Sequence, residues 1–286
     1  MVKIGVQAMM LKQHVADQGA YQIWKRLADS GFSSVEVSQI ALTPETRDEI
    51  VRANGEFGMG VAAISGGIGP SGGGGNDSLV ESFDKIVADC KALGTERVRI
   101  GMMPLTAFAS EQTLVEAAHT MDEYAGRLAD EGIKLSYHNH HYEFARIGER
   151  HVLDLIRAEA PRLLFEIDVH WVHRGGMDPV RVINNYAGVA DLIHLKDYRI
   201  GLPPAEAIEG LASGNREAWT EYANNIVQFA EVGSGNLDFP GIIEAATSAG
   251  AAHLLIEQDQ QYGRDIFDCL ADSRAHLVKI GYESLL

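Results

Sequence analysis

"GIKLSYHNHHYEF", residues 132–144, changes character halfway along. The first half reads as a buried strand beginning, with Ile133 and Leu135 alternating with polar neighbours. The second half, "YHNHHYEF", puts three histidines and a glutamate into eight positions. A hydrophobic strand that finishes in imidazole and carboxylate is either a polar end dipping into solvent or one wall of a metal or acid–base site. The other strands decide between the two, according to how they end.

Short apolar, β-branched runs recur along the whole chain, at residues 3–9, 34–38, 60–65, 97–102, 133–138, 163–168, 192–196 and 252–257. Between them the apolar spacing is helical. "AYQIWKRLADSG" sets Ile23, Trp24, Leu27 and Ala28 on one face and closes with Gly31 in the position of a helix-ending glycine. "SLVESFDKIVADCKALG" is expected to start on Ser78 as its N-cap and to end at Gly94. "TLVEAAHTMDEYAGRLADEG" ends in the same way at Gly132. Eight strands alternating with helices imply a parallel sheet with right-handed crossovers, and eight is the number that closes a (β/α)8 TIM barrel. A doubly wound open sheet is the rival, but no G-x-G-x-x-G follows the first strand. With no linker-like change of composition, residues 1–286 read as one domain. Two excursions interrupt the rhythm, a glycine-rich stretch at residues 65–76 and a longer one at 199–229 with a helical pattern around Trp219. Both are expected on the C-terminal rim, where such barrels carry their active sites. The glycine stretch lacks P-loop spacing and a following Lys-Ser/Thr, so it reads as a lid or plain loop before a phosphate cradle.

Strand five ends in His138, Asn139 and His140, with Glu143 just beyond, and strand six ends in Asp168, followed by His170 and Trp171. Strand seven carries His194, then Lys196 and Asp197, and strand eight ends in Glu257, then Asp259. In a closed barrel these four ends are neighbours around one rim. Any one strand-end histidine is more often a hydrogen-bonded structural group than a ligand. Four consecutive strands offering metal-competent side chains at the same end point instead to one divalent ion, Mn2+, Mg2+, Co2+ or Zn2+. Glu36 and Asp197 read as structural residues or as supports behind the site.

Of 286 residues, 46% are hydrophobic, enough for one large core. The net charge of −16 repels phosphate backbones and anionic bilayers, which argues against nucleic-acid and membrane partners. Cys90 and Cys269, the two cysteines, stand far apart without C-x-x-C spacing, as in a protein of a reducing cytosol. "MVKIGVQAMM" lacks a signal-peptide core, and no apolar run approaches the ~20 residues of a membrane span. The expectation is a soluble, cytoplasmic protein.

"YHNHHYEF", "FEIDVHWVHRGGMDPV", "IHLKDY", "EVGSGNLDFPGI" and "LLIEQD", in this order, resemble the pattern of the xylose-isomerase-like barrel superfamily of sugar phosphate isomerases and epimerases. The resemblance covers nearly the whole chain. It implies that Asp168, His194 and Glu257 are metal ligands. The epimerases of that superfamily place a first glutamate ligand at the end of strand five, where this chain has His138. Glu143, five residues on, is the expected replacement because a hard cation prefers oxygen, with His138 facing the substrate. In the converse assignment His138 is the ligand and Glu143 a free carboxylate and candidate base.

The chemistry so implied is isomerisation or epimerisation of a sugar or keto-sugar through an enediolate. Glu143 and Glu257 are the acid–base pair and His138 and His140 the alternates. Lys196 is expected to bind a hydroxylate or phosphate, and Trp171 and His170 to face the sugar. The histidine-rich end of strand five also resembles the keto-inositol dehydratase branch, which makes a dehydratase of a cyclic keto-polyol the alternative. A DNA-repair endonuclease fits the charge poorly, and a non-catalytic sugar-binding barrel predicts no metal. "GSGN" at 233–236 reads as a turn before a backbone nest for phosphate. Barrels of this family commonly pair through rim loops, so a homodimer or homotetramer is expected.

Overall fold

Alternation inside each run decides which way its side chains face, because successive residues of a strand point to opposite sides of the sheet. The computed structural model describes residues 2–69 and 76–286. Its central strands are β1 (Lys3–Gln7), β2 (Ser34–Val37), β3 (Gly60–Gly67), β4 (Arg97–Ile100), β5 (Lys134–His138), β6 (Leu164–Asp168), β7 (Ala190–Leu195) and β8 (His253–Ile256). Each is parallel to the next, and β8 pairs with β1 through Lys3–His253, Ile4–Leu254, Gly5–Leu255 and Val6–Ile256. The sheet therefore closes into the eight-stranded barrel expected from the strand count.

Val35, Val37, Ile100, Phe165, Ile167, Ile193, Leu195, Leu254 and Ile256 are buried and belong to the apolar layer shared with the helices. The positions between or beside them are Glu36, Arg99, Glu166 and His194, with Leu255 the apolar exception. Arg99 on β4 reaches Glu36 on β2 and Glu166 on β6, strands that do not touch one another, which only the barrel lumen allows. The hydrophobic core is thus the ring between sheet and helices, and the lumen carries the chemistry.

The helices expected from spacing are present at Ala20–Asp29, Phe83–Leu93 and Glu111–Asp130. Ser110 and Thr113 close a reciprocal capping box on the third, and Gly31, Gly94 and Gly132 take left-handed φ values of 83°, 69° and 75°. Ser78 is not an N-cap. It belongs to a two-residue strand, Asp77–Ser78, that pairs with Gly66 and Gly67, and the helix starts after Ser82. That pairing lengthens β3 past Ser65, the expected end. Residues 70–75 of the glycine-rich stretch lie outside the described residues. The 199–229 excursion contains two helices, Ala205–Ser213 and Glu217–Asn224. They are framed by an antiparallel ribbon of Asp197–Ile200 with Val227–Ala230. Among the described residues no helix is long and apolar enough to cross a membrane.

Candidate metal and sugar site

The lumen positions nearest the C-terminal ends of β5 to β8 meet. His138, Asp168, His194 and Glu257 are all buried, and each offers one ligand atom lying within 4.8 Å of the others. His194 Nδ1 stands 2.6 Å from Glu257 Oε2 and 3.7 Å from Asp168 Oδ2, and His138 Nε2 is 3.4 Å from Asp168 Oδ2. Each group is fixed from behind. Asp168 caps the short helix Val169–Arg174, its Oδ1 accepting from the Trp171 N–H at 2.9 Å. The Asp168 N–H in turn donates to Asn139 Oδ1 at 3.1 Å. His138 Nδ1 lies 3.1 Å from the Gly101 carbonyl and Nε2 3.4 Å from Asp168 Oδ2, so both ring nitrogens are engaged and the ring is fixed.

Charge is sorted sharply. Burial alone would raise the Asp168 carboxyl, but the Lys196 ammonium and the His138 and His194 imidazoles hold it well below the usual carboxylate range. Glu257 is depressed against the same burial by Lys196 and His194. Burial pushes His138 down to about 4 and His140 to about 2, so both are neutral near pH 7. Lys196 stays charged despite burial because Glu257, Asp168 and Asp259 surround it, with Asp259 Oδ1 2.8 Å from Nζ. Asp259 itself is raised to about 6 by burial and by Glu257.

Two imidazoles and two carboxylates in one buried cluster are a donor set for a divalent cation. His194 Nδ1 and Glu257 Oε2 face each other, and neither has a hydrogen bond to any further group. A cavity of about 310 Å3 opens above the cluster. His138, His140, Lys196, Glu257 and Asp259 line it on one side, and Met9, Ser38, Gln39, Asn76 and Gly101 on the other.

Three expectations need correction. Glu143 does not swing into the mouth. It is wholly buried, accepting from the Tyr137 hydroxyl at 2.5 Å and from the His140 N–H at 2.8 Å. Tyr137 has the opposite parity to His138 along β5, so Glu143 follows it away from the lumen, and its carboxyl is raised by burial. His138 fills the strand-five place in the cluster, and Glu143 is neither a free carboxylate nor within it. His170 is completely buried and packs on Phe229 and Tyr198, with ring centroids 4.9 and 5.3 Å away, so it supports the ribbon and does not line the cavity. Trp171 stacks on His141 at 5.0 Å and stands behind Lys196, whose Nζ is 4.9 Å from the Trp171 ring and 5.2 Å from that of Phe229. It is likewise outside the cavity lining.

"GSGN" does form a nest, but for this chain's own carboxylate. Asp197 accepts from the N–H groups of Gly233, Gly235, Asn236 and Leu237 at 2.9–3.2 Å. Sequence reasoning missed Arg99 and Glu166, lumen residues of which Arg99 also lines the cavity. Their signal was a charged residue flanked by apolar neighbours inside "RVRI" and "FEID", a strand that is buried on both faces yet polar on one.

The family model for the xylose isomerase-like TIM barrel matches residues 24–273, and the chain belongs to that family. Solved structures share the fold at low identity. A sugar phosphate isomerase/epimerase from Parabacteroides distasonis ATCC 8503 is 19% identical with a TM-score of 0.72, over 99% of this chain and 96% of that one. An L-ribulose 3-epimerase is 16% identical at 0.69, over 100% and 96%. The probable 3-DHS dehydratase AsbF from Bacillus anthracis is 14% identical at 0.64, over 98% and 99%. No curated protein sequence matches the chain.

Proposed function

We propose that this chain is a divalent-cation-dependent enzyme that isomerises or epimerises a keto-sugar, with His138, Asp168, His194 and Glu257 holding the cation. The observation that carries the reading is the buried four-residue cluster at the floor of a polar cavity on the C-terminal side of the barrel. Structural neighbours named as sugar isomerases, epimerases and a dehydratase support the substrate class.

When bound, the cation supplies Lewis-acid polarisation of a carbonyl or hydroxyl oxygen. The chain's own groups divide the remaining work. Lys196, fixed by Asp259, directs its ammonium at an oxygen that gains negative charge, and its pairing keeps it from acting as a base. Asp259, raised to about 6 on the β8 side, is the carboxylate matched to accept a C–H proton near neutral pH, and the neutral His140 imidazole lines the cavity on the β5 side. Proton removal from one face of a sugar and return from the other needs this opposition. Expulsion of a β-hydroxyl after the same proton removal gives dehydration. The imidazole at the strand-five position, where the resembled epimerases have a glutamate, favours keeping that second reading.

The test is metal analysis joined to proton NMR. Protein purified without chelator is expected to hold about one divalent ion per chain, and Asp168→Asn to lose it together with turnover. Incubated with keto-sugars in D2O, the enzyme should exchange one C–H for C–D with the skeleton intact, whereas a product lighter by one water identifies the dehydratase. Full turnover by metal-free protein overturns the proposal.

A further inference from the structure

Beneath the cluster, the side chains of Glu36 and Glu166 each lie between Arg99 and His194. Glu36 Oε1 accepts from Arg99 Nε at 2.7 Å, and its Oε2 faces His194 Nε2 at 3.3 Å. Glu166 stands between the same two groups, with Oε2 3.1 Å from Arg99 Nε and Oε1 3.1 Å from His194 Nε2, but without a hydrogen bond to either. All four side chains are buried. Gly101 makes room for the arginine, since a Cβ there would stand 2.3 Å from Arg99 Nη1. One nitrogen of His194 thus looks down at two acceptors, and the other, Nδ1, looks up at Asp168 and Glu257.

We propose that Glu36, Glu166 and Arg99 form a positioning floor that holds the proton of His194 on Nε2 and presents Nδ1 to the cation. The inference rests on the cation-binding reading above. Glu36 Oε2, hydrogen-bonded to Nε2, calls for a hydrogen there, and the neutral ring then has its only lone pair at Nδ1. Arg99 is needed because two carboxylates this close repel, and the guanidinium between them keeps both turned to the ring. None of the three belongs to the four-residue cluster; Glu36 and Glu166 meet it at His194, and Arg99 also reaches the cavity lining.

Mn2+ titration by calorimetry of the wild type, Glu36→Gln and Glu166→Gln tests this. The expected result is one site in each, weakened about 10–100-fold in the variants. Selective 15N labelling of histidine, with His194→Gln for assignment, should show a slowly exchanging Nε2–H in the wild type that exchanges faster in both variants. Arg99→Lys, which keeps the charge, should retain more affinity than Arg99→Met. Variants that bind Mn2+ within twofold of wild type, or a His194 ring without a proton on Nε2, overturn the floor. A wild type that takes up no Mn2+ removes the proposed function, and the Nε2–H signal from that same metal-free sample still decides the floor. If a glutamine variant fails to fold, the wild-type signal and the other variant carry the test.

Discussion

A carboxylate goes where donors are, and two acidic residues here follow that rule against their sequence context. Asp197 lies next to the cluster in sequence, yet backbone N–H groups from 233–237 and that of Tyr198 engage it completely. Gly235 is required for that approach, because a Cβ on it would come within 2.3 Å of Asp197 Oδ1 and 2.2 Å of the Tyr198 carbonyl oxygen. Asp197→Ala should therefore cost on the order of 3 kcal/mol in urea unfolding, since it strands several partly buried donors, and Gly235→Ala should be of similar severity. Loss of under ~0.5 kcal/mol in both would show that water replaces the carboxylate at no cost. Glu143 teaches the same lesson. Cation hardness favoured it as a ligand, but hardness says nothing of the Tyr137 hydroxyl and His140 N–H that reach it first. Glu143→Gln is expected to keep cation affinity within a few-fold while lowering stability by about 1–3 kcal/mol, and His138→Gln to lose the cation. Calorimetric titration of the two variants distinguishes this from the reverse assignment.

Elements were legible in proportion to their burial. The eight barrel strands announce themselves through β-branched runs, because one face packs under helices and must be apolar. Their ends slipped by one to a few residues where local bonding intervenes, as at Ser78, whose N-cap pattern is overruled by a backbone pairing to Gly67 that no local signal encodes. The ribbon of Asp197–Ile200 and Val227–Ala230 was invisible for a different reason. It is short, partly exposed and paired across about thirty residues, so neither strand carries alternation strong enough to read. The helices it frames have little holding them: Ala207 is the one buried residue of Ala205–Ser213, and Glu217–Asn224 has none. Amides at 205–224 should thus exchange hydrogen by local opening, orders of magnitude faster than those of β5 to β8, and trypsin should cut first near Arg216. Protection across 205–224 equal to the barrel's would mean that another surface covers these helices.

At the scale of the whole molecule the barrel separates two ends with opposite demands, and acid stability reads the one without the cluster. His253 begins β8 at the N-terminal end of the barrel, with Ser34 Oγ 3.3 Å from its Nδ1 and Lys3 and Leu192 as its register neighbours. Burial, then the Arg97 guanidinium, push its pKa down to about 4. In the unfolded chain the same ring titrates near ~6.5. Between these values the unfolded state takes up a proton that the native state refuses. The contribution of His253 to stability is therefore fully present above ~6.5 and is lost as pH falls through about 4. Other buried imidazoles of lowered pKa, His138 and His140, face the cavity, and a bound cation would alter their titration, whereas His253 is out of its reach. His253→Gln keeps a polar side chain of similar size and removes the titration. Urea midpoints taken from pH 7.5 to 4.5 should fall in both proteins, but the variant should lose on the order of 1–2 kcal/mol less over that range. Equal acid losses in the two would mean that His253 takes up its proton in the folded barrel as readily as in the unfolded chain.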